Sequence, residues 1–304
     1  CIVMDAITGK ILYEKNSHET LEPASTTKIM TAIIALERGN LHDIVVTGSE
    51  PPRAEGTRIY LEKGEKLTLE QTLYGMMLNS GNDAAIAIAE HISEDVPAFV
   101  ELMNQKAREI GAYDTNYINP NGLVDEGHVT TAYDLALIAR YAMNNLPEFK
   151  KIVSTQTFDI PWMAKDQDRN LVNLNKLLWE YEGANGIKTG YTSRAGRTLV
   201  SSAVREGWQL IAVILKSGLD EIWPDSKALL DYGFDNFESV NLVGESAAVA
   251  TEKVKYGGEV EIVTSQGLYD VVPKEGPAIT KEVVLNADIS APIKKGDILG
   301  SLVF

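Results

Sequence analysis

The first apolar runs of the chain predict a short hairpin followed by a helix. Residues 1–5 and 11–14 are mostly apolar, and Gly9 lies in the segment between them, where it suits a tight reversal. Apolar residues then recur at helical spacing from 26 to 36. This spacing places Ser25 at or beside the N-terminus of the predicted helix.

The middle of the chain is predicted to be helical, and strands return after it. Helical patterns cover residues 67–78, 83–91, 96–110, 130–143 and 225–232. Strand patterns cover residues 198–205 and 209–216, which flank a turn at Gly207. A sheet built from both ends of this segment, with helices between them, is an α+β arrangement.

A different pattern begins near residue 236. Short alternating runs separated by glycine-containing turns cover residues 248–254, 260–264, 269–272, 283–285 and 298–304. This pattern is typical of a small all-β domain. We therefore predict two domains, one over residues 1–236 and one over residues 237–304.

Charge and hydropathy narrow the classes of function. The formal net charge of the 304 residues is -15, which disfavours nucleic acid or an anionic lipid surface as the main partner. No apolar run reaches membrane-spanning length, and no secretory signal leads the chain, so the chain is either cytosolic or trimmed at its targeting ends. The single cysteine, Cys1, leaves no internal disulfide and is either a lipid-attachment site or a boundary residue.

Three motifs stand in a fixed order along the chain. They are S-x-x-K from Ser25 to Lys28, S-x-N from Ser80 to Asn82, and K-T-G beginning at Lys188. This set is typical of penicillin-binding proteins and β-lactamases. Each motif alone has an ordinary explanation as a helix cap, a turn or a strand end, but their joint occurrence in this order favours catalysis.

The first two motifs supply the groups needed for acyl transfer. A serine hydroxyl is a weak nucleophile, and Lys28 lies one helical turn after Ser25, where a lysine of lowered pKa could take its proton. The start of the helix offers backbone N–H groups to a developing oxyanion. Ser80 could relay a proton to the leaving amine, and Asn82 could position Lys28 and contact a substrate amide.

The third motif supplies groups for substrate binding. Lys188 offers positive charge, and Thr189 and Thr192 offer hydroxyls for a substrate carboxylate. Gly190 lets a substrate backbone lie flat along the strand. We predict no metal or cofactor, because the four histidines are widely separated and lack metal-binding spacing.

The sequence around these motifs resembles the low-molecular-mass D-alanyl-D-alanine carboxypeptidases. The similar segments are residues 21–30, 78–85, 119–123, 131–136 and 186–193. The resemblance implies a transpeptidase-like domain with an antiparallel sheet and helices, followed by a C-terminal β-sandwich. It also implies that the backbone N–H of Tyr191 is the second oxyanion donor.

The resemblance further implies an exported protein that acts at the extracytoplasmic face of the bacterial membrane. Its substrates would be the pentapeptide stems of peptidoglycan, and β-lactams would acylate Ser25. Members of the family are usually tethered by a C-terminal amphipathic helix, and no such helix follows Phe304. The expectation is thus a trimmed mature ectodomain, with membrane contact only through an anchor outside this chain.

One position departs from the family pattern and leaves alternatives open. Family members generally carry an arginine for the peptide carboxylate where this chain has Ile222, and Arg194, Arg197 or Lys216 could substitute. Alternative functions are a catalytically weak penicillin-binding or scaffolding protein, a DD-endopeptidase, or a β-lactamase. The β-lactamase reading lacks support because residues 111–123 contain no glutamate to activate water.

Overall fold

The computed structural model describes residues 1–163 and 165–304. These residues form two compact units, Cys1–Gly233 and Phe234–Phe304.

The first unit combines helices with antiparallel strands. Its strands are β1 (Ile2–Asp5), β2 (Ile11–Glu14), β3 (Ile44–Val46), β4 (Lys66–Thr68), β5 (Thr157–Ile160), β6 (Arg169–Val172), β7 (Ala184–Thr192), β8 (Gly196–Arg205) and β9 (Trp208–Ser217). Its helices are α1 (Lys28–Arg38), α2 (Leu69–Leu78), α3 (Asn82–Ile92), α4 (Val96–Ile110), α5 (Ala132–Asn145), α6 (Pro147–Ser154) and α7 (Leu177–Glu180). Helix α8 (Ile222–Asn236) runs from this unit into the second.

The main sheet has the order β2-β1-β9-β8-β7, and every neighbouring pair is antiparallel. The predicted β1–β2 hairpin is present, and the sheet does join strands from both ends of the unit. The central strands β8 and β9 are long and largely buried, as expected of strands covered on both faces. Strand β7, which carries the K-T-G motif, forms one edge of the sheet.

Several helices begin where a side chain caps the first turn. Thr68 accepts the Gln71 N–H, and the Gln71 side chain accepts the Thr68 N–H, which makes a capping box at α2. Thr131 accepts the Asp134 N–H at α5 in the same way. Both helices therefore start later than the apolar pattern predicted, and Lys66–Thr68 belongs to β4.

Some elements were not predicted from the sequence. Short strands β3 and β4 pair with each other, as do β5 and β6, and none of them exceeds four residues. Helix α6 was also missed, although Pro147 occupies a first-turn position that suits proline. Such short segments carry too few residues for a period to be recognised.

The second unit is all-β, as predicted. Its strands are β10 (Phe237–Val243), β11 (Ala248–Lys253), β12 (Glu259–Val263), β13 (Leu268–Pro273), β14 (Glu282–Leu285) and β15 (Gly300–Val303). They pair antiparallel as β10 with β13, β11 with β12, and β14 with β15. Within the described residues, no helix has the length and apolar character needed to cross a membrane.

Candidate active site

Ser25 lies in a single 3-10 turn, Ala24–Thr27, that leads directly into α1. Lys28 is the first residue of α1, and its Nζ lies 3.0 Å from Ser25 Oγ. Residue Ala24, immediately before the serine, has a positive φ of 49°, which is uncommon for a residue with a Cβ atom. Residues held in such conformations are often found at functional sites.

The Lys28 amino group contacts three oxygen atoms. Besides Ser25 Oγ, these are Asn82 Oδ1 at 2.7 Å and the Asn121 carbonyl oxygen at 2.5 Å. The two amide oxygens can only accept hydrogen bonds. A neutral lysine has two N–H bonds and one lone pair, so when both N–H bonds are directed to the amide oxygens, the lone pair is left for the Ser25 hydroxyl proton.

Burial favours this neutral form of Lys28. Its side chain is fully buried, and burial lowers its pKa well below the ordinary value for lysine. The positive charge of nearby Lys188 lowers the pKa further, and the negative charge of Asp83 opposes the shift. Desolvation and a neighbouring cation are the two causes that turn a lysine into a usable base near neutral pH.

Asn82 is fixed at the start of α3. Its Nδ2 donates to the Glu55 carbonyl oxygen at 2.7 Å, which leaves Oδ1 directed at Lys28. The next residue, Asp83, accepts the N–H groups of Ile59 and Leu61 and so holds the segment that contains Glu55. The orientation of the Asn82 amide is therefore set by hydrogen bonds on both of its ends.

Ser80 occupies the tight turn between α2 and α3. It is 4% exposed and has a positive φ of 60°. Its hydroxyl is not one of the three groups bonded to Lys28 in the described structure. The structure thus brings Ser25, Lys28 and Asn82 into direct contact, and it places Ser80 two residues before Asn82 without a bond to the other three.

The Asn121 carbonyl lies in a loop that is stabilised by hydrogen bonds from its own side chains. Asn119 Oδ1 accepts the Gly122 N–H, and Asn119 Nδ2 donates to the Leu123 carbonyl oxygen. Asn121 Oδ1 accepts the Leu123 N–H at 3.0 Å. A Cβ atom at Gly122, whose φ is +85°, would overlap the Ala24 carbonyl oxygen. Only glycine lets this loop approach the turn that carries Ser25.

His128 connects the same loop to the turn that carries Ser25 through two hydrogen bonds. Its Nδ1 accepts the Ile118 N–H at 3.1 Å, so the neutral ring carries its proton on Nε2 and donates it to Thr27 Oγ1 at 2.8 Å. Burial is the main cause that lowers its pKa to about 4, and the negative charge of Asp125 opposes the shift. His128 is therefore a neutral structural link between the loop and the 3-10 turn that carries Ser25.

Strand β7 forms the opposite side of the site. A Cβ atom at Gly190 would lie 2.9 Å from the Ser25 nitrogen and 3.1 Å from Ala24 Cβ, so glycine permits close contact with the nucleophile turn. Thr198, opposite Gly190 in β8, donates its hydroxyl to the Pro23 carbonyl oxygen at 3.1 Å. Because β7 is an edge strand, alternate N–H and C=O groups point away from β8, where an extended peptide can pair with them.

Lys188 is buried, with 1% of its surface exposed, and has little hydrogen bonding. Its Nζ donates to the carbonyl oxygen of the adjacent Thr189 at 3.0 Å. Burial lowers its pKa to about 7. Thr192 Oγ1 accepts the Ala195 N–H within the β7–β8 turn, and the Tyr191 side chain is half exposed. The five predicted binding residues thus follow one another along the edge strand.

The departure at Ile222 is visible in the structure. Ile222 is 2% exposed at the first position of α8, so this position offers no charge to a ligand. Among the proposed substitutes, Arg194 forms an ion pair with Glu22 at 2.6 Å. Lys216 lies on β9, at the far side of β8 from β7, and lines a cavity with Tyr13.

Sequence reasoning missed the residues that hold the site together. Asn121 and Gly122 lie in a segment that was noted only for its family resemblance, and His128 was considered only as one of four histidines that lack metal-binding spacing. The N-P-N-G spacing was the available signal for a tight, hydrogen-bonded loop. No group of three or more His, Cys, Asp or Glu side chains suited to a metal ion occurs among residues 1–163 and 165–304.

Comparison with known proteins confirms the resemblance. Residues 1–218 match the family model described as D-alanyl-D-alanine carboxypeptidase, and residues 237–304 match that of the penicillin-binding protein 5 C-terminal domain. D-alanyl-D-alanine carboxypeptidase DacF of Bacillus subtilis is 38% identical over 99% of this chain and 80% of its own length.

Solved structures agree with these matches. Penicillin binding protein 5 from Haemophilus influenzae has a TM-score of 0.87 and 31% identity, covering 99% of this chain and 90% of that one. The D-alanyl-D-alanine carboxypeptidase DacD from Francisella tularensis has a TM-score of 0.81 and 32% identity, covering 99% and 87%. The chain therefore belongs to the D-alanyl-D-alanine carboxypeptidase family.

Proposed function

We propose that this chain is a serine-type D-alanyl-D-alanine carboxypeptidase in which Ser25 is the nucleophile and Lys28 its base. The observation that carries the proposal is the contact of Lys28 Nζ with Ser25 Oγ at 3.0 Å, while two amide oxygens occupy the other positions around the same nitrogen. Family membership supports the substrate class, a peptide that ends in D-Ala-D-Ala.

The reaction follows from the positions of these groups. Ser25 Oγ attacks the carbonyl carbon of the penultimate D-Ala, and its proton passes to Lys28 Nζ. The developing oxyanion is stabilised by the backbone N–H groups of Ser25 and Tyr191. The C–N bond then breaks, the amine of the terminal D-Ala receives a proton through Ser80, and water hydrolyses the ester that remains on Ser25.

Substrate binding is assigned to strand β7. The peptide lies along the edge strand beside Gly190, and the hydroxyls of Thr189 and Thr192 together with the charge of Lys188 receive its carboxylate. The peptide stems of peptidoglycan outside the cytoplasm are the proposed substrates, and β-lactams are covalent inhibitors that acylate Ser25. We further propose that the protein is attached to the membrane through a C-terminal anchor.

A slow release of the β-lactam acyl group is expected. The oxygens around Lys28 Nζ belong to Ser25, Asn82 and Asn121, and none of these three is a carboxylate that could activate a water molecule. A penicillin adduct on Ser25 should therefore persist, and rapid turnover of penicillin would favour the β-lactamase alternative.

The test is release of D-alanine from a peptide ending in D-Ala-D-Ala. We expect the parent protein to release it and to be labelled by a fluorescent penicillin, and Ser25→Ala to do neither. Ser49→Ala, at an exposed serine, is the matched control and should behave as the parent. Labelling without D-alanine release would overturn carboxypeptidase action and favour the endopeptidase or scaffolding alternatives.

A further inference from the structure

Arg197 carries hydrogen-bonding capacity that the described structure does not use. Its Nε atom is buried and has no hydrogen-bond partner among the described residues. Its guanidinium carbon lies 5.0 Å from the centroid of the Tyr191 ring. A buried N–H without an acceptor is unfavourable, so its presence points to a partner that arrives with a ligand.

The register of β7 and β8 places this arginine beside the proposed substrate strand. Tyr191 pairs with Arg197, and Thr189 pairs with Leu199. Side chains opposite each other in an antiparallel pair lie on one face, so Arg197 shares a face with Thr189 and is its diagonal neighbour. Diagonal neighbours are about 7 to 8 Å apart, which a long arginine side chain can span.

Other basic side chains near the substrate strand are already engaged or lie elsewhere. Arg194 is exposed and paired with Glu22, and Lys216 lies on β9, one strand further from β7. Lys188 already contributes its charge to the carboxylate in the proposed function, but a compact ammonium cannot bind both carboxylate oxygens in the planar geometry of a guanidinium. Arg197 therefore combines a position near Thr189 with a buried N–H donor that lacks an acceptor.

We propose that Arg197 binds the terminal carboxylate of the peptide substrate, together with the Thr189 hydroxyl. This inference rests on the proposed function, because a carboxypeptidase substrate ends in a free carboxylate. A guanidinium presents two parallel N–H donors that match both oxygens of a carboxylate. Stacking on the Tyr191 ring fixes the plane of the guanidinium. Arg197 thereby supplies the charge that Ile222 cannot.

The test compares two thioester substrates that differ only in the carboxylate. Both have the same acyl-D-Ala group, and the leaving thiol carries either a free carboxylate or its methyl ester. We expect Arg197→Gln to lower kcat/KM about 10- to 100-fold for the free acid, mainly through KM, and to change the methyl ester little. Arg194→Gln is the matched control and should leave both values near those of the parent.

A purely structural role gives a different result. If Arg197 only holds Tyr191 and its oxyanion N–H in place, Arg197→Gln lowers kcat for both thioesters equally, and the proposal is wrong. An unchanged value for the free acid overturns it as well. Arg197→Lys keeps the positive charge but loses the parallel N–H donors of the guanidinium. An intermediate loss of kcat/KM that is confined to the free acid supports the proposal. This variant keeps the test informative even if Arg197→Gln does not fold.

Failure of the underlying function is recognised separately. Parent protein that cleaves neither thioester, and whose Ser25 is not labelled by fluorescent penicillin, would contradict the proposed carboxypeptidase. Parent protein that cleaves both thioesters at similar rates retains the acylation chemistry but does not recognise the carboxylate. This result contradicts the carboxylate-binding roles of Arg197, Lys188 and Thr189 and leaves Ser25 as the nucleophile.

Discussion

The two buried lysines of the site have different surroundings. Lys28 Nζ contacts three oxygens from three separate segments, whereas Lys188 Nζ donates to one carbonyl oxygen on its own strand. Burial lowers the pKa of both. The first environment is complete without a ligand and suits the base that we propose, and the second leaves N–H donors for the substrate carboxylate that we propose to bind there. The two lysines are thus proposed to serve different purposes because their acceptors differ.

The largest effect is expected at Lys28. Lys28→Met removes the base, so we expect acylation of Ser25 to slow by about 10²- to 10⁴-fold for any substrate. Stopped-flow measurement of penicillin acylation checks this, with Lys63→Met at an exposed position as the control. If Lys28→Met acylates as fast as the parent, Lys28 is not the base and the distinction between the two lysines fails.

Gly122→Ala tests the loop that completes the Lys28 environment. The new Cβ would overlap the Ala24 carbonyl oxygen at a positive φ, so we expect a loss of about 3 kcal/mol or more in unfolding free energy. Gly64→Ala is the matched control, because its φ is also +85° and nothing lies within 4 Å of the added Cβ. Denaturant unfolding should show about 1 to 2 kcal/mol there. Equal losses would mean that the close approach of the loop does not matter.

Lys188→Met should act selectively. We expect kcat/KM for a carboxylate-bearing peptide to fall about 10- to 100-fold, with a smaller change for a neutral thioester, because the lost charge faces the carboxylate. Steady-state kinetics on both substrates measures this. An equal loss on both would show that Lys188 acts on Lys28 or on the chemistry instead.

The pH profile separates the two lysines further. Lys28 must be neutral to accept a proton, so kcat/KM rises with pH through its lowered pKa. Lys188 must be charged, so kcat/KM for the carboxylate substrate falls as the pH rises through about 7 in the free enzyme. Lys188→Arg keeps its charge at every working pH and should lose the alkaline limb. An unchanged alkaline limb in this variant would assign it to another group.

The last effect is confined to acid pH and concerns His128. Its pKa of about 4 lies below the ordinary 6.5, so the unfolded chain binds more protons between these values, and stability falls as the pH drops from 6.5 to 4. The loss is about 3 kcal/mol over that window. His128→Gln should flatten the dependence of unfolding free energy on pH, and urea titrations at pH 7 and pH 4.5 test it. A parent protein with no such dependence would contradict the buried neutral histidine.

Local sequence predicted the reactive residues better than their supports. Ser25, Lys28 and Asn82 belong to short motifs whose chemistry can be read from residue type and spacing. The supports depend on contacts between distant segments, such as Gly122 against Ala24 or His128 against Thr27. No local period encodes these contacts. Helices of ten residues or more were predicted from their period, whereas strand β7, of nine residues, and strand β10, of seven, were given no bounds from the sequence.

The exposed edge of β7 also bears on self-association. An unpaired strand edge is a template on which other chains can add, and proteins usually protect it with charges, bulges or covering segments. In this protein the turn carrying Ser25 approaches Gly190 so closely that a single added Cβ would lie 2.9 Å from the Ser25 nitrogen. An added Cβ points out of the face of a strand, so this turn covers one face of β7 at Gly190 and does not cover the hydrogen-bonding edge. The open edge that we propose for the substrate peptide is therefore also a place where the strand of another chain can pair, and the requirement for substrate access keeps this edge unprotected.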